Sequence, residues 1–300
     1  MKKPLKVSVG TSALNEEKNI KRVLSSIIKQ KRNKWELVEV LVYCDGCSDN
    51  TYKLAKNIKS KYLKVVNYKY REGKNARVDE MLRKFTGDVL VLVDADIIFD
   101  SNKVFTNMVR AFTKYSNVGL VGANSRVLPP KNTFQKLIYP NYEVYFKSRY
   151  FGKGNNLFGC TGACLAVSRS FAKKLDKTPE IVAQDVYFYL SSKKLEYKFI
   201  HVKNAVVYYK LASNLKDYLR QAFRNSPEAI ENIYSKHFGK LVKEEYKRPV
   251  HQYIAALLSV FLRKPIATSY CVGLRLVCKP FYPLISGNYK LGWFSARSTK

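Results

Sequence analysis

Two carboxylates one residue apart, Asp94 and Asp96, follow the apolar run Val89-Leu90-Val91-Leu92-Val93. Like charges at the end of a buried strand repel one another unless a cation or hydrogen-bond donors face them. A hard divalent ion is the simplest compensation. One or two carboxylates, with phosphate oxygens and water completing the shell, suit Mg²⁺ or Mn²⁺ on a diphosphate. Taken alone, the triplet also reads as a turn capped by an aspartate. A second acidic cluster, Asp45-Gly46-Cys47-Ser48-Asp49-Asn50-Thr51, joins a strand-like run to a helix-like one. Gly46 suits a tight turn and Ser48 or Asp49 can cap the helix, which leaves Asp45 to meet a ligand. A third polar cluster, Ser12-Ala13-Leu14-Asn15-Glu16-Glu17, closes the first apolar run.

These clusters need a frame that brings them together. Short β-branched runs at 5–12, 38–43, 63–68, 89–94 and 119–123 alternate with amphipathic stretches. Ile20, Val23, Leu24 and Ile27 recur at helical spacing, as do Tyr52, Leu54, Ala55 and Ile58, and then Val78, Met81 and Leu82. Strands alternating with helices predict an α/β fold, a mostly parallel sheet flanked by crossover helices. In such a sheet, ligands bind beyond the carboxyl ends of the strands. The three polar clusters all lie there, so they should converge on one crevice.

In this order the motifs resemble those of the family 2 glycosyltransferases, inverting enzymes that use nucleotide sugars and have a GT-A (Rossmann-like) fold. The resemblance rests on residues 12–17, 45–51, Gly73-Lys74 and Asp94-Ala95-Asp96, then on Gly159-Cys160-Thr161-Gly162-Ala163-Cys164-Leu165-Ala166-Val167 as an acceptor-side strand and on Gln184-Asp185. It covers about residues 5–225. It implies that Ser12, Ala13, Leu14, Asn15 and Asp45 hold the nucleotide base and ribose. Lys74 would lie near the donor, Asp94 would support the nucleotide, and Asp96, with Asp94, would hold Mg²⁺ or Mn²⁺. Asp185 would be the general base for an acceptor hydroxyl. Gln221 and Arg224 resemble part of an element that reaches donor phosphates in processive synthases. Asn225 stands where that element has Trp, which favours transfer of a single sugar. Leu14 replaces a frequent aromatic, and Gln184 replaces the usual Glu beside the base.

The chain has 300 residues, 46% hydrophobic and 13% aromatic, enough for a sizeable core and too apolar for a disordered basic tail. Lys and Arg number 54 against 23 Asp and Glu, a formal net charge of +31. Such an excess attracts nucleic acid, an anionic membrane surface or a phosphate-rich ligand. Residues 246–300 contain no Asp or Glu but nine Lys and Arg, from Lys247 and Arg248 to Lys300. Their apolar runs, 253–262 and 266–278, are shorter than the roughly 20 residues that span a bilayer. Flanked by cations, they predict an in-plane, membrane-apposed helical appendage; packing on protein is the rival. Cys44-x-x-Cys47 and Cys160-x-x-x-Cys164 read as small core residues rather than a zinc site. The aromatic segment from Phe134 to Phe151 reads first as core, with acceptor contact or interface anchoring as alternatives.

The expected organisation is a catalytic domain over 1–212, with a nucleotide-sugar half to about 125 and an acceptor half over 126–212. A C-terminal helical region follows over 213–300. The resemblance implies a hexosyltransferase. Its donor would be a UDP- or GDP-sugar, its acceptor lipid-linked or a glycan, and its place the cytoplasmic face of a membrane, peripheral or monotopic. The alternatives are a polyprenyl-phosphate sugar synthase with a lipid-phosphate acceptor, or a non-catalytic basic protein binding nucleic acid or membrane. No nucleic-acid module signature accompanies the charge, so the expectation is no nucleic-acid partner.

Overall fold

A computed structural model describes residues 3–176, 183–224 and 227–278, without the side chains of 223–232. The elements run β1 (Leu5–Ala13), α1 (Ile20–Ile28), β2 (Trp35–Asp45), α2 (Thr51–Lys56), β3 (Leu63–Tyr68), α3 (Lys74–Lys84), β4 (Val89–Val93), β5 (Ile98–Phe99), α4 (Val104–Lys114) and β6 (Val118–Val127). They continue with α5 (Thr133–Ser148), β7 (Cys164–Ser168), α6 (Arg169–Ala172), α7 (Gln184–Lys194), β8 (Lys198–Tyr209), α8 (Leu215–Arg224), α9 (Pro227–Phe238), α10 (Lys240–Glu245), α11 (Val250–Phe261) and α12 (Pro265–Cys278).

The eight strands form one sheet in the order β3-β2-β1-β4-β7-β6-β8-β5. The first four positions are mutually parallel. β7 runs antiparallel to both β4 and β6, and β5 antiparallel to β8. This is the expected α/β architecture, a mostly parallel sheet between helices. Helices cover both faces, so β4 is buried along its whole length and reads as an unbroken apolar run. The helical spacing predicted for α1 is the buried face observed, Ile20, Val23, Leu24 and Ile27. On α3, Val78 and Met81 turn inward.

The acceptor-side strand expected over 159–167 is shorter and later. Residues Leu157–Gly159 form a 3₁₀ turn, and the strand proper begins at Cys164. β8, a twelve-residue strand, was not expected.

The chain divides into two compact units, residues 1–126 with 160–209, and residues 127–159 with 210 onward. Residues 127–159, expected in the acceptor half of a catalytic domain, thus belong with the C-terminal helices. In that second unit α5 packs against α11 and α12. Ile138 sits among Phe134, Tyr142, Tyr218, Tyr270 and Leu274, while Val144 sits with Ala256, Val260, Tyr253 and Leu257. Phe134 meets Tyr218 edge-on, Phe146 is buried, and the Tyr145 hydroxyl donates to the Phe158 carbonyl at 2.7 Å. The aromatic segment therefore packs this unit's core. The cations expected beyond Cys278, and the Arg224 side chain, lie outside the described residues.

Candidate active site

Parallel strands end together, so the loops after β1, β2 and β4 gather at one sheet edge. Side chains lace the first two loops. Asn15, in the left-handed region at φ 53°, donates through Nδ2 to Ser48 Oγ at 3.1 Å, and its Oδ1 accepts from the Ser48 N–H at 2.8 Å. The Glu16 N–H donates to Thr51 Oγ1 at 2.7 Å and the Glu17 N–H to Asp49 Oδ2 at 3.1 Å. Asp49 also accepts from the Thr51 N–H at 2.9 Å at the start of α2, although the cap position itself is Asn50, which has no side-chain capping bond. Ser12 and Ala13 end β1, and Leu14, half-buried, begins the loop.

Asp45 does not stand open to a ligand. It is 2% exposed, and its oxygens accept from the Glu72 N–H at 3.0 Å, the Gly73 N–H at 2.7 Å and Arg77 Nε at 2.7 Å. The Arg77 guanidinium lies 3.5 Å from the Tyr68 ring centre. A carboxyl this deep is costly to bury without such donors around it. Asp45 therefore fixes the chain entering α3. Gly46 makes this geometry possible: its φ is +67°, and a Cβ there would come within 2.8 Å of the Arg71 backbone nitrogen.

Lys74, first residue of α3, reaches across to Asp94, and the two form an ion pair. The Asp94 N–H donates to the Ala163 carbonyl at 3.0 Å, continuing the ladder that pairs Val93 with Cys164. One residue earlier, the Gly162 N–H donates to Asp185 Oδ2 at 2.9 Å, and the Val186 N–H holds the other carboxylate oxygen at 3.1 Å. A connected path thus runs from Asp45 through residues 72–74 and Asp94 to 162–163 and Asp185.

The path is charged throughout. Burial raises the Asp96 carboxyl, and neighbouring Asp94 and Glu16 raise it further; together they push it to about 7 against the pull of Lys74. Burial also raises Asp185, opposed by Lys74 and by the donated N–H groups. Lys74 is the shared counter-charge for both carboxylates. From α1, Arg22 Nη2 donates to the carbonyls of Asp96 and Ile97 at 3.2 and 3.3 Å and to Asn19 Oδ1 at 3.1 Å. Asn19 in turn donates to Glu16 at 2.8 Å. Arg22 and Arg77 escaped the sequence reading; the one available signal was an Arg three residues after Lys74, one helical turn on from it.

Among the described residues no group of three or more His, Cys, Asp or Glu could hold a metal ion by itself. Asp94 and Asp96 nonetheless offer the hard oxygen donors that Mg²⁺ or Mn²⁺ takes, and their mutual repulsion is what a cation relieves. These residues fit a divalent ion that draws its remaining ligands from a diphosphate. The six cysteines are free thiols, with Cys44, Cys160 and Cys164 buried as small core residues. Gln184, beside Asp185, is 6% exposed, and its amide nitrogen has no hydrogen-bond partner among the described residues. Gln221 lies half-buried on α8 in the second unit.

The sequence matches the family described as glycosyl transferase family 2 over residues 8–176, more than half of the chain. It is 26% identical over 192 residues to the UDP-Glc:alpha-D-GlcNAc-diphosphoundecaprenol beta-1,3-glucosyltransferase WfgD of Escherichia coli, covering 62% of this chain and 68% of that protein. It is 29% identical over 127 residues to the glucosyl-3-phosphoglycerate synthase of Petrotoga mobilis, covering 41% of this chain and only 39% of that one. The mannosyltransferase PcManGT of Pyrobaculum calidifontis, solved with GDP-Man and Mn²⁺, has the same fold, with TM-score 0.60 over 95% of this chain and 84% of that chain at 19% identity. With the family's residues spread over strands β1 to β7, and the carboxylates among them gathered at one sheet edge, the chain belongs to glycosyl transferase family 2 and is a glycosyltransferase.

Proposed function

We propose that the protein moves one sugar from a UDP- or GDP-sugar to a membrane-held acceptor, a lipid-linked sugar or glycan, with inversion at the anomeric carbon and with Mg²⁺ or Mn²⁺. The observation carrying this reading is the hydrogen-bonded path that ties Lys74, Asp94 and Asp185 to one sheet edge, with Asp96 beside it. In this reading the loops after β1 and β2 hold the nucleoside, with Ser12 to Asn15 nearest the base and Asp45 shaping the loop rather than touching it. Asp94 and Asp96 hold the divalent ion, which when bound stabilises charge developing on the leaving diphosphate. Lys74 lies where it can follow that charge, its ammonium passing from Asp94 towards a donor phosphate.

Asp185 takes the proton from the acceptor hydroxyl as that oxygen attacks the face opposite the leaving group. A hydroxyl is a poor nucleophile at neutral pH, and a positioned base contributes about 10²- to 10⁴-fold. Burial raises Asp185 towards neutrality, which strengthens it as a base, and the Gly162 and Val186 N–H groups aim it. Support for a lipid-linked acceptor comes from the relative WfgD, whose name specifies a diphosphoundecaprenol-linked sugar. A membrane-held acceptor implies association with the membrane's cytoplasmic face, peripheral or monotopic. Among the described residues no helix is long and apolar enough to cross a membrane.

The test is a panel of nucleotide sugars with Mn²⁺ or Mg²⁺, read as released UDP or GDP, followed by transfer to lipid-diphosphate sugars. Asp185→Asn should cut transfer about 10²-fold or more while donor binding persists. Unchanged transfer by Asp185→Asn would remove the base and favour a lipid phosphate acceptor, which is already anionic.

A further inference from the structure

Helices α11 and α12 are apolar on two faces, and among the described residues only one of them is covered. On α11, Ala256 and Val260 turn towards α5 and are buried. The opposite side shows Val250 at 68% exposed, Ile254 at 48%, Leu258 at 55% and Leu262, just past the helix end, at 81%. These positions follow one another at four-residue intervals, so they form a single stripe. On α12, Thr268, Cys271 and Cys278 are buried, while Ile266 is 81% and Leu276 66% exposed. Leu262 and Ile266 flank the turn between the two helices, joining the stripes at that corner.

Soluble surfaces carry single exposed leucines without consequence, but a row of them along one helix, with further exposed apolar side chains on the helix packed beside it, marks an interaction surface. Its charge selects the partner. No carboxylate occurs anywhere in 246–300. Glu143 of α5 is paired with Arg263 and Lys264 at the turn. Lys247 and Arg275 are exposed, and Arg275 donates to the Tyr253 hydroxyl at 3.1 Å. Around the α12 axis Arg275 falls between Thr268 and Cys271 on the buried side, and its long, exposed side chain can lie along apolar surface and end in headgroups. A second copy of the chain would set these cations against one another, on a molecule that already carries +31. An anionic leaflet accepts both the apolar row and the cations. At 12 and 14 residues the helices are about 18 and 21 Å long, short of the roughly 30 Å hydrocarbon core, so they suit an in-plane position rather than a crossing one.

We infer that the exposed face of the α11–α12 pair is a bilayer-docking surface, lying in the plane of an anionic leaflet with Val250, Ile254, Leu258, Leu262, Ile266 and Leu276 in the acyl boundary. The inference rests on the reading of a membrane-held acceptor and names the surface that would bring the enzyme to it. The experiment is flotation of the full chain with vesicles of phosphatidylcholine, alone or mixed with phosphatidylglycerol. It compares wild type with a fourfold variant, Ile254→Ser, Leu258→Ser, Leu262→Ser and Ile266→Ser. These side chains are exposed, so the variant should melt at the wild-type temperature. Wild type is expected to float with the mixed vesicles and much less with phosphatidylcholine alone, and the variant to partition roughly tenfold less or weaker. Arg275→Gln should weaken only binding to the anionic vesicles. Absence of wild-type flotation, or equal flotation by the fourfold variant, overturns the inference. So does a concentration-dependent dimer that the four substitutions dissolve, because the face would then belong to a second copy. Donor hydrolysis in solution, measured on the same preparations, separates the two ideas: its persistence without vesicle binding rejects the docking surface and leaves the proposed chemistry standing.

Discussion

Asp185 and Asp96 both sit above the ordinary carboxylate range, for related reasons with different consequences. Burial raises Asp185, so its basic form is reached only as pH climbs past the usual range near 4. The acid limb of kcat/KM should accordingly lie above that range. Gln184→Glu would place a second carboxylate beside it, raise it further and move the limb to higher pH. A pH–rate profile checks this, and a limb that stays in place would show that Gln184 does not face the base. Asp96, pushed up to about 7, is held there by burial, Asp94 and Glu16. A carboxyl raised in the folded state holds its proton more tightly than in the unfolded chain. Its cost is therefore absent below about pH 4 and grows as pH rises to about 7. Asp96→Asn should raise the melting temperature of the ligand-free protein at pH 8 and change it little at pH 4. Equal melting at both pH values would mean that the acidic cluster is not under electrostatic strain.

At the scale of elements, α1 braces the backbone at Asp96 through Arg22. Arg22 ties the carbonyls of Asp96 and Ile97 to Asn19 and, through it, to Glu16. Loss of a group that orients a ligand typically costs about 10- to 100-fold in metal affinity. Arg22→Ala should weaken Mn²⁺ binding by that order, measured by calorimetry with UDP or GDP present. Unchanged affinity would confine Arg22 to packing. Arg22 was illegible in the sequence for a physical reason: its partners lie 74 and 75 residues away. The same holds for Arg77 with Asp45, 32 residues apart, whereas Lys74 and Asp94 were read as residues and only their pairing across 20 positions was not. What could be read were elements whose burial imposes a pattern. β1, β2 and β4 lie inside the sheet, β4 showing as a continuous apolar run and β1 and β2 as mostly buried runs rich in β-branched residues. β8 did not, because its exposed stretch carries Lys203 and Asn204 in mid-strand. α7 is buried from Val186 to Ser192, nearly all round, so it lacks the one-sided periodicity that marks a surface helix.

The whole molecule combines a strongly cationic surface with a small acidic interior. Cations in excess draw phosphates towards it, from a donor or a leaflet, and the carboxylates at the sheet edge repel those phosphates until a divalent ion intervenes. Under the proposed function the two features would make metal the condition for donor capture at physiological salt. The measurement that bears most directly on this is release of UDP or GDP from a nucleotide sugar by wild type and Asp96→Asn, with Mn²⁺ and with chelator. Turnover that needs the ion and falls by orders of magnitude in Asp96→Asn is the predicted result. Turnover that is equal in the two proteins, or indifferent to chelation, would contradict the account.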